Sequence, residues 1–376
     1  MSDLTKIREE IDAIDSQIVE LFEKRMTLSE NVARYKIENK KPVFDREREL
    51  EKLSTLGGKA HSQFNRIGVQ ELYQQIMSIS RKRQYQLITQ AESGDSFGFC
   101  PVEHLNKEGV TVVFQGVEGA YSYAAMHAFF GDEIQSFHVD TWKEAMEAIR
   151  RGNADYAVLP IENSTAGIVQ DNYDLLTEYD HVIVGEQIIP CQHALVALPQ
   201  ATLDDIKDVY SHPQALMQCR EFLAGHKEWN VHEFGNTAGA AKKIAQEQDI
   251  SKAAIASPFA AKFFGLSILQ EGIYTHAGNS TRFIIVTKNK IYCKNAGKIS
   301  VSYELPHESG SLYNSLSHFI YNGLNMTKIE SRPIPNRNWE YRFFLDFEGN
   351  LSESAVKNAL LGLKAESRHL RIHGNY

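Results

Sequence analysis

Apolar side chains in the first 90 residues recur at the spacing of an amphipathic helix. From Leu4 to Leu21 they return every three or four positions, so they form one stripe along a helix, which we expect to be buried. Lys41-Pro42 ends this helix, because the residue before a proline disfavours the helical conformation. A short helix from about Asp45 and a long helix over about residues 63–86 are predicted to follow.

The pattern changes after a polar stretch that contains Pro101. Thr111-Val112-Val113-Phe114 and Tyr156-Ala157-Val158-Leu159 are short strand-like runs, each followed by a loop of small polar residues and a helical run. This alternation indicates α/β layers with parallel strands. From Lys298 the predicted order becomes strand, helix, strand, strand, helix, strand, which is the ferredoxin-like order.

These three patterns predict a multidomain chain. The predicted parts are an all-α three-helix domain over residues 1–90, a linker over 91–108, an α/β domain over 109–290 and an α+β domain over 298–376.

Composition narrows the class of protein. Hydrophobic residues make up 43% of the 376 residues and charged residues 23%, which is a globular balance. The formal net charge of -8 disfavours a nucleic-acid partner, which normally requires a basic face. The four cysteines form no C-x-x-C pair or metal-like spacing, so we expect reduced thiols and no metal. With no apolar run suited to a signal peptide or a membrane span, a cytoplasmic protein without a membrane partner is predicted.

Two cations interrupt the apolar stripe of the first helix. Arg25 lies on the stripe, and Lys36, 11 residues later, returns to within roughly 20° of the same face, about 16 Å further along the helix. Two such side chains could grip one small dianion, because unpaired buried cations are costly. The alternative is that they pair with carboxylates such as Glu20, Glu23 or Asp45.

Arg8 adds a geometric constraint. It lies about 25 Å along the helix from Arg25, so one helix cannot bring both to one small ligand. If Arg8 joins the site, it comes from a second copy of the chain; otherwise it is a solvated surface arginine. On the third helix, Ser80 and Gln84 are one turn apart and share a face.

The arrangement of these positions resembles the all-helical chorismate mutase family. The positions that carry the resemblance are Arg8, Arg25, Lys36, Asp45, Arg46, Glu47, Ser80 and Gln84. The resemblance implies an intertwined homodimer with two sites, in which the partner chain supplies Arg8. A higher homo-oligomer would be compatible with the same pairing.

The family resemblance also implies roles for these side chains. Arg25 would hold a substrate carboxylate, while Lys36 and Gln84 would hydrogen-bond the ether oxygen of chorismate as its C–O bond breaks. Glu47 would hold the ring hydroxyl, and the remaining residues would support binding. Such a rearrangement to prephenate requires only a compact conformer and donors aimed at the oxygen that gains charge.

Several strand–loop–helix junctions of the α/β segment carry small polar residues, at 116–122, 163–167 and 236–239. Helix N-termini present free N–H groups and a positive dipole end, so several together would suit carboxylates. Ordinary N-capping explains each loop alone. A dinucleotide fingerprint is absent, because no G-x-G-x-x-G occurs.

Residues 116–122, 159–164, 210–214 and the triplet Thr281-Arg282-Phe283 together resemble the prephenate dehydratase family. The resemblance implies two lobes like those of a periplasmic binding protein, with the site between them. Thr281 would assist departure of the ring hydroxyl while prephenate loses carbon dioxide and becomes aromatic. The implied candidates for substrate binding or proton handling are Glu162, Asn163, Ser164, His212, Gln218 and Arg282.

Residues 308–312 and 330–333 of the last segment resemble the ACT regulatory domain of prephenate dehydratases. The resemblance implies a phenylalanine site between two such domains, at Ser309, Gly310, Leu312, Glu330, Ser331 and Arg332. The alternatives are helix capping by Ser309 and a surface salt bridge of Arg332.

The leading hypothesis is a cofactor-free bifunctional enzyme that converts chorismate to prephenate and prephenate to phenylpyruvate under phenylalanine inhibition. A ligand-binding sensor with a helical dimerisation segment is one alternative, although such a segment would carry leucine in place of Arg25 and Lys36. A dehydratase with a degenerate mutase-like segment is the other.

Overall fold

The computed structural model describes residues 3–91, 97–275 and 278–376. Residues 92–96 of the predicted linker and the first two residues lie outside this description. The helices are α1 (Asp3–Glu38), α2 (Arg46–Gly57), α3 (Gln63–Ala91), α4 (Tyr121–Phe130), α5 (Trp142–Arg151), α6 (Gln170–Glu178), α7 (Pro213–Gln218), α8 (Arg220–Ala224), α9 (Thr237–Glu247), α10 (Pro258–Phe264), α11 (Ser311–Tyr321) and α12 (Ser354–Glu366).

The strands follow the α/β and α+β patterns read from the sequence. They are β1 (Cys100–Val102), β2 (Thr111–Gln115), β3 (Gln135–Val139), β4 (Tyr156–Asn163), β5 (Gly167–Ile168), β6 (Val182–Pro190), β7 (Ala194–Ala197), β8 (Asp208–Ser211), β9 (Asn230–Glu233), β10 (Lys252–Ala256), β11 (Ser267–Gln270), β12 (Ser280–Thr287), β13 (Ile291–Cys293), β14 (Lys298–Glu304), β15 (Met326–Pro333), β16 (Tyr341–Glu348) and β17 (Arg368–Asn375). Contacts divide the chain into two units, one of Met1–Gly98 with Lys294–Ile372 and one of Phe99–Cys293 with His373–Tyr376.

The three predicted helices of the first segment are present, with different ends. Helix α1 stops at Glu38, ahead of Pro42, and Asp45 caps α2 by accepting a hydrogen bond from the backbone N–H of Arg48. Helix α3 continues to Ala91, five residues beyond the predicted end. Within the described residues, no helix is long and apolar enough to cross a membrane.

The apolar stripe of α1 is not buried by its own chain, contrary to the expectation from the sequence. Leu4, Ile7, Ile11, Ile14, Ile18 and Leu21 are 50–64% exposed. The period of the pattern identified the apolar face correctly, but α3 packs against only part of α1. A contiguous apolar face of this length is larger than a monomeric protein usually leaves exposed.

Strands of three sheets lie in the described part of the second unit, two of them large. In one, β12 lies between β6 and β4 and pairs antiparallel with both, while β2 pairs parallel with β4 and β3. The other has the order β11-β7-β10-β8-β9, with β8 parallel to β9 and β10. Strand β1, which lies in the predicted linker, pairs parallel with β13.

Each face of the second sheet has its own apolar cluster. Val196 and Ala254 belong to one cluster with Ile244 of α9, whereas Leu195 and Ile255 belong to the other. Neighbouring residues of one strand thus point to opposite faces, as the two-residue repeat of a strand requires. The buried faces explain why these strands read as continuous apolar runs.

The last segment has the predicted order of strands and helices, and its sheet has the order β15-β16-β14-β17. Phe319 of α11 packs on Phe347 of β16, and both side chains are fully buried. Strand β17 is longer than the predicted short strand at residues 370–372. Gly374, near the end of this strand, belongs to the second unit and pairs there in parallel with Ile183 of β6.

A buried ion-pair cluster connects α3 to α12 in the first unit. The Arg81 guanidinium donates to Glu366, with Nε 2.7 Å from Oε1, and also pairs with Glu49 of α2. His318 Nε2 lies 3.3 Å from Glu366 Oε2. Burial alone raises the pKa of the Glu366 carboxyl, but His318 and Arg81 outweigh burial and lower that pKa to about 2.

We predict that Glu366→Gln destabilises the first unit by about 3 kcal/mol at neutral pH. Because the folded-state pKa of Glu366 lies below its ordinary value, its stabilisation is present above about pH 4.5 and is lost as pH falls towards 2. Denaturant unfolding of both proteins between pH 7 and pH 2 measures this. The difference between their unfolding midpoints should narrow as the pH falls.

Glu71→Gln is the matched control, because Glu71 is an exposed carboxylate on the same helix α3. Its unfolding midpoint should follow that of the unchanged protein at every pH. A Glu366→Gln difference that stays constant down to pH 2 would contradict the assigned pairing.

Candidate functional sites

Helices α1 and α3 bring three of the predicted residues of the helical segment together. Arg25 Nη1 donates to Ser80 Oγ at 2.6 Å, and Gln84 Nε2 lies 3.4 Å from Ser29 Oγ. Ser80 and Gln84 are buried, and Gln84 Oε1 has no hydrogen-bond partner. This cluster therefore contains a cation and an amide whose hydrogen bonding is not completed by its own chain.

Lys36 faces the loop between α1 and α2. Its Nζ donates to the backbone carbonyl of Val43 at 2.6 Å. Lys36 shares a cleft of about 780 Å³ with the three consecutive residues Asp45, Arg46 and Glu47. Arg46 pairs with Glu308, the residue that precedes the predicted effector loop.

Neither predicted cation has a carboxylate partner within the described residues. Glu20 pairs with Lys24 instead, and Arg25 donates to a hydroxyl. Burial lowers the pKa of Arg25 and of Lys36, and for Lys36 the charges of Asp45 and Glu49 only partly offset burial. The structure therefore does not support the alternative in which neighbouring carboxylates pair with these two cations.

Arg8 is not brought to either group of residues. It is exposed near the start of α1, 17 positions before Arg25 on one continuous helix. A straight helix separates the two by about 25 Å, as expected from the sequence. Among the described residues of one chain, Arg8 therefore joins neither of these two groups.

In the second unit, the loops singled out from the sequence line one cleft of about 470 Å³. Its walls include Gly116 and Ala120 before α4, Asn163 at the end of β4, His212 before α7 and Asn236 before α9. Gly116 and Gly119 have φ angles of +110° and +86°, which other residues rarely adopt. A Cβ on Gly119 would lie 2.9 Å from Phe264.

The lining of this cleft is neutral. Among the described residues that line it there is no lysine, arginine, aspartate or glutamate. Asn236 Oδ1 caps α9, and His212 Nδ1 accepts from the backbone N–H of Gln214, but no side chain caps α4. The uncapped N–H groups of α4 and the side-chain amides are thus the available donors for an anion.

Thr281 lies at the start of β12, directly across from Asn163 of β4. Asn163 Oδ1 accepts from the backbone N–H groups of Thr165 and Ala166, at 3.0 and 2.9 Å, so its amide nitrogen must point the other way. That nitrogen donates to Thr281 Oγ1 at 2.9 Å. The Thr281 hydroxyl therefore accepts from Asn163, and its own hydrogen can be donated either to Cys191 Sγ, 3.1 Å away, or to a group in the cleft.

Cys191 also contacts Thr281, which no pattern in the sequence predicted. Its Sγ lies 3.1 Å from Thr281 Oγ1. Burial raises the pKa of the Cys191 thiol, so the group is a neutral S–H at pH 7. Cys191 is the first of three residues between β6 and β7, and no local signal in the sequence distinguishes it, because its partner Thr281 lies 90 positions away.

Gln218 is held by two further residues that the sequence did not single out, His193 and Asn279. Its Oε1 lies 2.8 Å from His193 Nε2 and 3.2 Å from Asn279 Nδ2. His193 Nδ1 lies 3.3 Å from the hydroxyl of Tyr121 at the start of α4. All four residues line the cleft.

Three predicted residues are not among those lining the cleft. Arg282 pairs with Glu162, at 3.1 Å, and with Glu186 on the neighbouring strand, at 3.3 Å. Ser164 Oγ accepts from the backbone N–H of Ser280 and donates to the carbonyl of Gly278. Since Glu162 and Arg282 are one residue from Asn163 and Thr281, strand alternation turns them to the other face.

The predicted effector residues fall into two groups. Ser309, Gly310 and Leu312 lie at the start of α11, where Gly310 has a φ of +78° and no side chain caps the helix. Glu330, Ser331 and Arg332 lie on β15, at the end of the sheet order. A cavity of about 320 Å³ includes Ser309 but not the β15 residues.

Comparison with known proteins identifies two family regions. A family model described as "Chorismate mutase type II" matches residues 7–85, and one described as "Prephenate dehydratase" matches residues 112–291. Within the described residues, no group of three His, Cys, Asp or Glu side chains could hold a metal ion.

Relatives match over the whole chain. A bifunctional chorismate mutase/prephenate dehydratase of Buchnera aphidicola (subsp. Schizaphis graminum) is 33% identical, covering 100% of this chain and 96% of the relative. The Escherichia coli K12 protein of the same description is 31% identical over 99% and 96%. A solved prephenate dehydratase from Arthrobacter aurescens, in complex with L-Phe, is 32% identical with a TM-score of 0.65, covering 71% of this chain and 89% of that one.

Proposed function

Because this chain belongs to the family of bifunctional chorismate mutase/prephenate dehydratases, it catalyses both reactions, and we propose that the two clefts described above are its active sites. The activities are steps of aromatic amino-acid biosynthesis, as the leading hypothesis held, rather than those of a sensor or a single-activity dehydratase. We further propose the domain limits predicted from the sequence.

The observation that carries the mutase assignment is the pair of partly buried cations without carboxylate partners, Arg25 and Lys36. Chorismate is a dianion, so Arg25 would bind a carboxylate, and the chorismate would replace water around both side chains. Lys36 and Gln84 would donate to the ether oxygen, which gains negative charge as the C–O bond breaks. Donors fixed by the fold before reaction lower the barrier most.

The exposed stripe of α1 supports the dimer. A second copy of the chain that covers Leu4 to Leu21 would remove this apolar area from water and would bring its own Arg8 to the site. Asp45, Arg46 and Glu47 line the same cleft as Lys36, and Glu47 would accept from the ring hydroxyl. Ser80 would hold the Arg25 guanidinium in place.

We predict that Lys36→Ala lowers mutase kcat by about a hundredfold or more and leaves dehydratase activity unchanged, because it removes a donor to the ether oxygen. Separate assays of chorismate and prephenate consumption check this. Lys40→Ala, an exposed lysine in the turn that follows the same helix, is the control. Unchanged chorismate turnover in the Lys36 variant would reject the mutase site.

The same mutase assay tests the proposal that each mutase site is built from two chains. Chains with Arg8→Ala and chains with Lys36→Ala should each be inactive as mutases, but co-refolded mixtures should recover about a quarter of the activity, because mixed dimers hold one intact site. No recovery would mean that Arg8 does not act across two chains.

In the second cleft, prephenate would bind with its carboxylates against the uncapped start of α4 and the amide side chains. The electron pair of the breaking C–C bond moves into the ring, carbon dioxide departs and the ring hydroxyl leaves. Thr281 would donate a hydrogen bond to that leaving oxygen, which departs as hydroxide and takes its proton from water, while Asn163 holds the Thr281 oxygen in place. Glu162, Ser164 and Arg282 would shape the loop and strand ends that carry these two residues.

We predict that Thr281→Ala lowers dehydratase kcat by about a hundredfold or more, whereas Thr281→Ser retains most activity because it keeps the hydroxyl. Phenylpyruvate formation from prephenate measures both variants. Thr287→Ala, at the other end of β12, controls for changes in the strand. Comparable dehydration by Thr281→Ala and the unchanged enzyme would remove Thr281 from this role.

We propose that the last segment is an ACT-type, ferredoxin-like regulatory domain that binds phenylalanine. Three features support it: its element and strand order, the uncapped αL start of α11 at Gly310, and the solved relative in complex with L-Phe. Strand β15 has a neighbour on one side only among the described residues, so its open edge suits a second copy. Phenylalanine would favour a less active cleft.

We predict that phenylalanine lowers the dehydratase rate and that Ser309→Ala or Arg332→Ala weakens this inhibition about tenfold, because each removes a polar contact to the effector. Dehydratase rates over a phenylalanine titration check it. Lys364→Ala, exposed on α12, is the control. A rate that does not respond to phenylalanine would reject the regulatory proposal.

The remaining proposals concern cofactors and location. Neither reaction scheme above requires a cofactor or a metal, and we propose that the enzyme uses none. All four cysteines are free thiols, which supports a reducing, cytoplasmic location.

A further inference from the structure

His193 lies in the second cleft without a part in the steps described so far. It follows β6 and precedes β7, and its side chain is only 4% exposed. Both ring nitrogens face polar groups, Gln218 on one side and Tyr121 on the other. Because polar groups face both ring nitrogens and the residue is buried, the ring is restricted to one orientation. It can therefore hold a neighbouring side chain in a fixed position.

We propose that His193 is a positioning residue, which turns the amide nitrogen of Gln218 towards the substrate. The proposal rests on the dehydratase assignment of this cleft. Its basis is that Gln218 Oε1 is occupied twice, by His193 Nε2 at 2.8 Å and by Asn279 Nδ2 at 3.2 Å. With the oxygen held, the NH₂ group of Gln218 points away from both residues and is free to donate.

The hydrogen positions follow from Asn279. Its Oδ1 is buried without a partner, and rotating this amide by 180° would bury an unpartnered NH₂ group instead. A buried N–H without an acceptor is less tolerated than an under-satisfied carbonyl, so Asn279 donates to Gln218. Gln218 Oε1 is then an acceptor, and His193 must carry its hydrogen on Nε2.

The ring chemistry of His193 is consistent with that role. Burial lowers the pKa of His193, and the hydrogen bond to Gln218 only partly offsets this, so the ring is neutral at pH 7. With hydrogen on Nε2, Nδ1 can only accept, and the Tyr121 hydroxyl, which burial keeps protonated by raising its pKa, shares its hydrogen between Nδ1 at 3.3 Å and the backbone carbonyl of Gln192 at 3.2 Å. The donor-to-acceptor direction from His193 to Gln218 thus follows from the tautomer alone.

The consequence is a donor for a carboxylate or keto oxygen in a cleft that has no lysine or arginine in its described lining. If the Gln218 amide were reversed, its carbonyl would repel such an oxygen. His193 therefore determines that Gln218 presents an N–H donor, and not a carbonyl, to the substrate. His193 does this without contacting the substrate itself.

The test is a double-mutant cycle on the full-length enzyme with prephenate as substrate. His193→Leu removes the donor, and it should raise the dehydratase KM about tenfold while changing kcat less. His193→Gln, whose amide N–H reaches the position of Nε2, should restore most of the affinity. Gln218→Ala should raise KM by a similar factor, and His193→Leu should add little to it because the two act as one unit.

Two controls keep the result interpretable. Mutase activity of each variant reports whether the chain is folded, and His232→Leu tests a histidine of the same unit that is paired with Asp208 outside the cleft lining. KM effects of His193→Leu and Gln218→Ala that multiply in the double variant would overturn the proposal, as would failure of His193→Gln to recover affinity. An unchanged KM in Gln218→Ala would instead reject Gln218 as a substrate ligand, which is a failure of the assigned site.

Discussion

The geometry of the first unit depends on one buried guanidinium. Arg81 stacks on the ring of Phe44, 4.9 Å from its centroid, and pairs with Glu49 and Glu366. A charge buried to this degree is tolerable only when its partners are in place, so the α1–α2 loop, α2 and α12 are fixed together. Helix α2 begins with the residues proposed to bind chorismate. The shape of the mutase cleft therefore depends on Arg81, which lies outside the cleft.

The two proposed sites would bind a small dianion in different ways. The helical site would use the charges of Arg25 and Lys36, which are partly buried and have no carboxylate partner among the described residues. The α/β cleft has a neutral described lining and would use N–H groups whose direction is fixed, as with Asn163 and Gln218. Fixed dipoles bind more weakly than charges but hold an oxygen at a defined point, which suits a reaction in which one hydroxyl must leave.

Sequence reasoning went furthest where a pattern is local. The period of α1, the cap at Asp45 and the loops that meet around Thr281 could all be predicted, because each depends on neighbouring residues. What covers the α1 stripe could not, since a pattern shows which face is apolar but not which surface covers it. Glu162 and Arg282 were grouped with Asn163 and Thr281 by motif, although strand alternation separates them. His193 belongs to no motif, and only contacts between distant segments bring it to Gln218.

The exposed stripe of α1 has a consequence for how the two activities respond to the amount of enzyme. If a second copy completes the mutase site, as proposed, chorismate turnover per chain rises with the concentration of the protein, whereas the dehydratase cleft lies within one chain. In dilute enzyme the mutase rate per chain would then fall, whereas the dehydratase rate per chain would not. The ratio of the two rates would report on assembly, and a cell that expresses little of this protein would draw on prephenate from another source.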